Sequence, residues 1–222
     1  MRHLLTRTVG SVQKVVVLDY GSGNLRSAEK ALVRAAAGTA EIVVTNDPDT
    51  VAQADRIVLP GVGAFAACMS ALAERPGVIE AMNVAVKNRG VPFLGICVGM
   101  QLMASRGLEF GVTPGLGWIE ADVRKIAPGD PALKVPHMGW NSLEAVTELP
   151  VLDGLRAGAP VYFTHSFAMF PEDSADVAAY VDHGGRFPAA VARDNLAGVQ
   201  FHPEKSQAAG LRLLADFLEW RP

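Results

Sequence analysis

The first residue whose type and setting suggest chemistry is a cysteine held between two glycines. Cys97 lies in the segment 92–101, where Gly95 and Gly99 complete the pattern G-x-C-x-G. This pattern is the sulfur counterpart of the G-x-S-x-G turn, which presents a nucleophile between a strand and a helix. A side chain at either glycine would clash where the backbone reverses, so the segment predicts a nucleophilic thiol at a sharp turn.

The flanking residues indicate which elements meet at this cysteine. Residues 93–96 are apolar or small and predict a short buried strand, and residues 98–104 favour a helix. Cys97 would then lie at a helix N-terminus, where free N–H groups and the dipole favour a thiolate. Taken alone, the pattern leaves open a small buried hydrophobic residue, which is what most free cysteines are. Cys68, in an apolar helical stretch, is interpreted as such a residue.

A thiol nucleophile needs a base, and the chain has five histidines to offer. His202 follows a strand-like run, and Glu204 comes two residues later with a proline between them. A carboxylate in that place would orient the imidazole and stabilise its cation. The alternative for Glu204 is a solvated loop charge. His3 lies near the N-terminus and His183 in a glycine-rich turn, so both are set aside.

Composition and charge exclude several classes of protein. Of the 222 residues, 50% are hydrophobic and 19% charged, and the formal net charge is −3. No long run of lysine or arginine exists, which argues against nucleic acid or an anionic membrane as the main partner. Two cysteines make no disulfide framework, and no apolar run is long enough for a membrane span. We therefore expect a protein of the reducing cytoplasm, without a secretory signal.

The pattern of strands and helices predicts the fold class. Four strand-like runs alternate with helical stretches in the first 104 residues, which is typical of a doubly wound, mostly parallel open sheet with helices on both faces. The second half alternates apolar and polar residues between glycine turns, so an antiparallel β extension is expected there, closed by an amphipathic helix over 207–220. Residues 1–13 are predicted to be a loosely ordered extension, and residues 14–222 a single domain.

Six separate segments together resemble one known family. They are 19–24, 59–65, 95–101, 135–141, 162–167 and 198–206. The cysteine segment and the last segment are similar to the nucleophile and His-x-Glu motifs of the class I (triad) glutamine amidotransferases, which have a flavodoxin-like fold. The other four are similar to the glutaminase subunits of imidazole glycerol phosphate synthases, and the likeness runs from about residue 15 to residue 220.

The resemblance implies a role for each matching residue. Cys97 would attack the side-chain amide of L-glutamine, His202 would protonate the departing ammonia and later activate water, and Glu204 would orient His202. A γ-glutamyl thioester would be formed and hydrolysed to glutamate. Backbone N–H groups of Val98 and of the loop at Gly61 and Val62 would form the oxyanion hole, and no cofactor or metal is implied.

The resemblance also implies a glutamine pocket and a partner. Gln101, His165, Ser166 and Phe167 would line the pocket; Phe167 stands where tyrosine is common, so a hydroxyl contact is lost there. Ammonia would pass to a separate (β/α)₈ cyclase subunit that makes imidazole glycerol phosphate in histidine biosynthesis. The predicted contact face comprises Asn24, the loop from Pro60 to Gly63, Pro136, Met138, Trp140 and Lys205.

Three functions remain open at this point. The first is the partner-activated glutaminase. The second is another class I glutaminase, such as that of pyridoxal phosphate synthase, or a stand-alone γ-glutamyl hydrolase, which would be active without a partner. The third is a non-catalytic regulatory relative, which the presence of Cys97, His202 and Glu204 disfavours.

Overall fold

The structure is a computed structural model that describes residues 12–21, 24–144 and 146–222. The predicted extension, residues 1–13, therefore lies almost wholly outside the described residues. Gln13, its last residue, differs from the prediction because it begins the first strand. Its side chain donates to the carbonyl of Leu218 at 3.2 Å and accepts from Arg56 at 2.8 Å. The start of this strand is therefore bonded both to the C-terminal helix and to the neighbouring strand.

The strands and helices follow one another along the chain. The strands are β1 (Gln13–Leu18), β2 (Ala40–Thr45), β3 (Arg56–Gly61), β4 (Phe93–Cys97), β5 (Ala104–Gly107), β6 (Thr113–Pro114), β7 (Ile119–Lys125), β8 (His137–Glu144), β9 (Pro160–His165), β10 (Phe167–Pro171), β11 (Val177–Asp182), β12 (Arg186–Arg193) and β13 (Leu196–Val199). The α-helices are α1 (Leu25–Ala36), α2 (Pro48–Ala52), α3 (Phe65–Ala73), α4 (Val78–Asn83), α5 (Val98–Gln101) and α6 (Gln207–Glu219). A π-helical turn follows α4, and short 3₁₀ turns lie at Pro150–Leu152, Ser174–Asp176 and Pro203–Lys205.

Within the described residues the strands form two sheets. The larger has nine strands in the order β2-β1-β3-β4-β13-β12-β11-β8-β9. Every pair from β2 to β13 is parallel, and every pair from β13 to β9 is antiparallel. The smaller sheet has the order β10-β7-β5-β6. The predicted parallel sheet with an antiparallel extension is confirmed.

Burial explains why the first half forms a parallel sheet. Val15, Val16, Val17 and Leu18 are all fully buried, as a β-branched run covered on both faces must be. The helices cover the sheet in two groups, in which α1 packs on α6 while α2 and α3 pack on α4. No helix among the described residues is long and apolar enough to cross a membrane.

The helix predicted over 98–104 is the main local error. The helix α5 ends at Gln101, and Ala104 already belongs to β5. The carbonyls of Leu102 and Met103 accept from the N–H groups of Leu116 and Trp118 rather than from a next helical turn. Pairing with residues of the second half therefore overrides the local helix propensity.

Strand order brings the chemistry-bearing residues to one edge. Gly61 at the end of β3 pairs with Cys97 at the end of β4, and Val199 of β13 pairs with Ile96. Carboxyl ends of neighbouring parallel strands meet at the same edge of a sheet, where open α/β sheets bind ligands. The segment that follows β13 carries His202, which therefore emerges beside the cysteine.

Candidate active site

Cys97 stands on a strained turn between β4 and α5. Its φ and ψ are +55° and −113°, a region that L-residues rarely occupy. A Cβ on Gly99 would lie 1.8 Å from the carbonyl oxygen of Leu59, and one on Gly95 would lie 2.7 Å from that of Gly99. Both glycines are therefore required by close backbone contacts, as predicted, and the turn holds the thiol at the edge of the sheet.

His202 and Glu204 form a buried pair next to this turn. Nδ1 of His202 lies 2.8 Å from Oε1 of Glu204, and the side chains are only 2% and 4% exposed. Since a carboxylate can only accept, Nδ1 carries the hydrogen. Asn24 donates to the same carboxylate oxygen at 3.4 Å. Nε2 of His202 is buried without a hydrogen-bond partner among the described residues, and His202 lines the same cavity as Cys97.

The neighbours of His202 decide its charge. Burial lowers the pKa of the imidazole, but interactions with the sulfur of Cys97 and the carboxylate of Glu204 outweigh burial and raise the pKa to about 9. For Glu204, burial raises the pKa of the carboxyl, while the hydrogen bond and charge of His202 outweigh that effect and lower it. At neutral pH the pair is therefore an imidazolium and a carboxylate.

A cavity of about 450 Å³ opens in front of these residues. Ten of the predicted site residues line it, together with Gly63 of the predicted contact loop and with Glu109 and Thr164, which were not predicted. The ten are Val62, Cys97, Val98, Gln101, Pro136, His165, Ser166, Phe167, His202 and Lys205. Residues from both halves of the chain thus enclose one space in front of the cysteine.

The other predicted site residues lie around the cavity rather than in its wall. Gly61 is buried beside Cys97, and a Cβ there would come within 3 Å of Gly99 and Tyr20. Met138 and Trp140 are 63% and 49% exposed on one face of β8.

Pro60 is a correction to the predicted contact face. It is buried in β3, and its carbonyl accepts a hydrogen bond from the hydroxyl of Tyr20 at 2.9 Å. Its side chain cannot reach a partner, because the proline lies inside the strand rather than in the loop that follows. We therefore leave Pro60 out of the contact face.

A hydrogen-bonded network supports the wall of the cavity opposite the turn. The carbonyl of Phe167 accepts from Gln101 Nε2 and from His165 Nδ1, both at 2.9 Å. His165 Nε2 lies 3.1 Å from Nδ1 of His137, and Nε2 of His137 lies 3.2 Å from the Asn141 amide nitrogen. Because Phe167 O only accepts, the hydrogens are fixed in order, with Asn141 donating to His137 and His137 to His165.

Both network histidines are held neutral. Burial lowers the pKa of His137 to about 3, helped by the charges of His165 and His183. Burial also lowers the pKa of His165, to about 4, although its bond to the Phe167 carbonyl opposes the shift. His183, set aside from the sequence as a turn residue, stacks on His137 with ring centroids 4.1 Å apart.

Some functional candidates were missed because their partners are distant in sequence. Glu109 accepts from the N–H of Phe65 at 2.9 Å and reaches the cavity from the loop after β5. Gln200 is fully buried, and its Nε2 lies 3.6 Å from the sulfur of Cys97. Only its position two residues before His202, on the same alternating face, could have pointed to it. Among the described residues, no group of three or more potential ligand side chains is placed to hold a metal ion.

Comparisons with known proteins agree on one family. Residues 16–220 match the model of the family "Glutamine amidotransferase class-I". An "Imidazole glycerol phosphate synthase subunit HisH" of Caulobacter vibrioides is 63% identical over 214 residues, which cover 95% of this chain and all of that protein. A protein of the same description from Agrobacterium fabrum is 55% identical over 215 residues, with 94% and 100% covered.

Solved structures show a similar fold at low identity. PurLQS from Thermotoga maritima superposes with a TM-score of 0.68 at 20% identity, covering 93% of this chain and 98% of that one. A glutamine amidotransferase from the same organism gives a TM-score of 0.66 at 15% identity, covering 95% and 98%. At such identities the likeness describes the fold alone.

Proposed function

The chain belongs to the class I glutamine amidotransferases, and from this premise we propose that it is the glutaminase subunit of an imidazole glycerol phosphate synthase. It hydrolyses L-glutamine to glutamate and ammonia for a separate cyclase subunit in histidine biosynthesis. The observation that carries the proposal is the strained Cys97 turn, which shares one cavity with His202, whose imidazole is paired with the buried Glu204. The full-length likeness to the HisH proteins supports it.

The first half of the reaction uses the thiolate of Cys97, whose proton has passed to Nε2 of His202, and the imidazolium that results. The sulfur of Cys97 attacks the carbonyl carbon of the glutamine side-chain amide, and a tetrahedral oxyanion forms. His202 gives its Nε2 proton to the amide nitrogen, the C–N bond breaks, and ammonia leaves a γ-glutamyl thioester. The pKa of about 9 keeps His202 protonated at neutral pH, as this step requires.

In the second half, His202 acts as a base. Having lost its proton, it removes one from water, and the hydroxide attacks the thioester carbon. The second oxyanion collapses, the C–S bond breaks and its electron pair returns to the sulfur, releasing glutamate. Glu204 keeps Nδ1 protonated throughout, so Nε2 is always the nitrogen that exchanges the proton.

Both oxyanions need donors at the same place. The N–H of Val98 follows the nucleophile directly, and the chain at Gly61 and Val62 lies beside Cys97 through the β3–β4 pairing. We assign the oxyanion hole to these backbone groups. Loss of one such donor typically costs about 3 kcal/mol of transition-state stabilisation.

The opposite wall is suited to the substrate. Gln101 uses both N–H bonds, one to Phe167 O and one to Gln200, which leaves its own oxygen as an acceptor beside the cavity. We assign the binding of glutamine to Gln101, His165, Ser166 and Phe167.

The partner is proposed to dock over the cavity mouth. Pro136 and Lys205 line the mouth, and Met138 and Trp140 project from the adjoining strand β8 as exposed apolar side chains. Exposed aromatic residues of this kind are typical anchors of an interface. With Asn24 next to Glu204, they form the contact face for a (β/α)₈ cyclase subunit. Cys68 and Cys97 are not joined in a disulfide, which supports work in the reducing cytoplasm.

The test is a glutaminase assay with a purified cyclase subunit. We expect glutamate release to be stimulated by the cyclase and its ligand, and to be lost in Cys97→Ala while cyclase binding is kept. Glutamate release by Cys97→Ala would contradict the triad. Full activity without a cyclase would instead indicate another class I glutaminase or a γ-glutamyl hydrolase, and inactivity under all conditions would indicate a regulatory relative.

A further inference from the structure

Gln200 is a buried amide whose side chain contacts the nucleophile. It follows β13, is fully buried, and its Nε2 lies 3.6 Å from the sulfur of Cys97. Its Oε1 lies 2.9 Å from Nε2 of Gln101. These two groups are its side-chain partners among the described residues. A buried amide is costly unless its polar atoms are bonded, so an apolar residue would serve packing better at this position.

The direction of the Gln200 amide is fixed by its neighbours. The nitrogen of Gln101 must face Phe167, because a carbonyl oxygen can only accept a hydrogen bond. The same nitrogen contacts Gln200, so the atom of Gln200 that meets it must be the oxygen. The nitrogen of Gln200 consequently faces the sulfur and offers it an N–H group.

The carbonyl of Phe167, which fixes the orientation of Gln101 and Gln200, is itself held by further residues. His165 donates to the same Phe167 carbonyl, and it accepts from His137, which accepts from Asn141. Both histidines remain neutral in the native state, so each has one N–H group, and the hydrogen bonds run in one direction from Asn141 to the carbonyl of Phe167. Asn141 is also tied to the backbone by a 2.7 Å bond to the Asp182 carbonyl. The Gln200 donor is thus backed by an ordered series of bonds that ends on strand β8.

We infer that Gln200 is a further residue of the catalytic centre, which donates an N–H to the sulfur of Cys97 and favours its thiolate. The inference rests on the proposed function for its effect on turnover, but not for its effect on the thiol. The same donor stabilises the sulfur when the thioester collapses and the C–S electron pair returns to it. The Gln200 donor adds to the stabilisation of the thiolate by the N-terminus of helix α5, because this helix spans only four residues and its dipole is small.

The experiment compares Gln200→Glu and Gln200→Met with the wild-type protein in its complex with the cyclase. Glutamate keeps the shape but replaces the donor by an acceptor, and methionine removes both. The main readout is the rate of Cys97 alkylation by iodoacetamide against pH, with the modified peptide identified by mass spectrometry. Gln53→Glu, the same change at an exposed position remote from the cavity, is the matched control.

Loss of a hydrogen bond to a charged group predicts alkylation at pH 7 about 10- to 100-fold slower in Gln200→Glu, with the profile moved to higher pH. Gln200→Met moves it in the same direction by less, Gln53→Glu leaves it in place, and kcat falls more than KM rises. Unchanged alkylation profiles in both folded Gln200 variants would overturn the inference. Failure of the proposed function would appear differently, as an inactive wild-type complex whose alkylation still depends on Gln200.

Discussion

At the scale of single residues, the chemistry depends on where the proton of His202 is held. The imidazole interacts with the sulfur of Cys97 and with a carboxylate, and its pKa of about 9 keeps Nε2 protonated until the amide nitrogen of the substrate takes the proton and leaves as ammonia. Glu204 contributes in two ways, because it fixes the tautomer and stabilises the cation. The carboxylate is buried and receives Asn24 as a second donor, so it is held in one position.

Replacing the carboxylate of Glu204 by an amide of the same shape tests these two contributions without changing the packing. We expect Glu204→Gln to lower kcat about 100-fold, the scale of general acid–base catalysis. The basic limb of the kcat–pH profile should also move to lower pH, since the pKa of His202 falls when the negative charge is removed. Steady-state glutaminase kinetics between pH 6 and pH 10, with the cyclase present, measure both effects.

Glu41→Gln makes the same change on the exposed side of β2 and should leave both quantities unaltered. A Glu204→Gln enzyme with a normal pH profile would show that the carboxylate does not set the charge of His202.

At this scale the sequence was sufficient to predict the functional residues that lie within a single motif. Cys97 is marked by its two glycines, and His202 and Glu204 are separated by a single proline. Gln200 could not be assigned in this way, because its partners Cys97 and Gln101 lie about a hundred positions earlier. Only the pairing of β13 with β4 shows that they meet.

At the scale of elements, strand β8 separates two tasks by the alternation of its side chains. His137 and Asn141 point inward to the network that supports the cavity, whereas Met138 and Trp140 point outward. Gly139 lies between them with φ of +127°. One strand therefore carries both the support of the proposed glutamine pocket and the apolar part of the proposed contact face.

Trp140→Ala tests the outward face. The ring is about half exposed and contacts Tyr162 at 5.9 Å edge-on, so its removal should leave the fold intact. We expect the affinity for the cyclase to fall about 10- to 100-fold, as for other aromatic anchors. Titration calorimetry of the two purified subunits measures this change.

Val84→Ala is the control for Trp140→Ala. Val84 is also exposed, but it lies in the turn that precedes β4, at the opposite end of the parallel strands from Cys97. Equal affinities for wild type and Trp140→Ala would remove this face from the proposed interface.

Sequence patterns predicted elements whose partners are near in the chain better than those whose partners are distant. The β-branched run in β1 was sufficient, because both of its neighbours belong to the same alternating half. The sequence after Gln101 was not sufficient to predict its structure, because the carbonyls of these residues bind the backbone N–H groups of Leu116 and Trp118.

At the scale of the whole molecule, the two halves of the chain contribute different parts of one site. The parallel half supplies Cys97 and the proposed oxyanion loop, and the antiparallel half supplies the proposed glutamine wall and leads back to His202 through β13. The pKa values of the three buried histidines that result are shifted in opposite directions from those of the unfolded chain. His202 is protonated more readily than an ordinary histidine, while His137 and His165 are protonated less readily.

These shifts predict that stability is greatest near pH 6.5, the ordinary pKa of histidine. Below pH 6.5 these histidines bind protons in the unfolded chain, whereas His137 and His165 stay neutral in the native state. The unfolding free energy therefore falls as pH decreases toward about 4 and 3. Above pH 6.5 the native state keeps the proton of His202, so the unfolding free energy falls as pH rises toward about 9. Urea unfolding at one-unit steps from pH 4 to pH 9 measures the curve.

Removing one histidine should flatten only its own limb. His202→Asn is expected to reduce the slope above pH 6.5, and His137→Asn the slope below it. Stability that rises continuously up to pH 9 would contradict the charge assigned to His202.

The central claim is that Cys97 is the nucleophile in a glutamine-shaped cavity, and affinity labelling tests it most directly. The complex with the cyclase is treated with a glutamine analogue that carries an electrophilic carbon in place of the side-chain amide, and the modified peptide is mapped. We predict one label per chain, on Cys97, formed in step with the loss of glutaminase activity and prevented by L-glutamine. Inactivation with the label on another residue, or an active enzyme that the analogue leaves unlabelled at Cys97, would contradict the account.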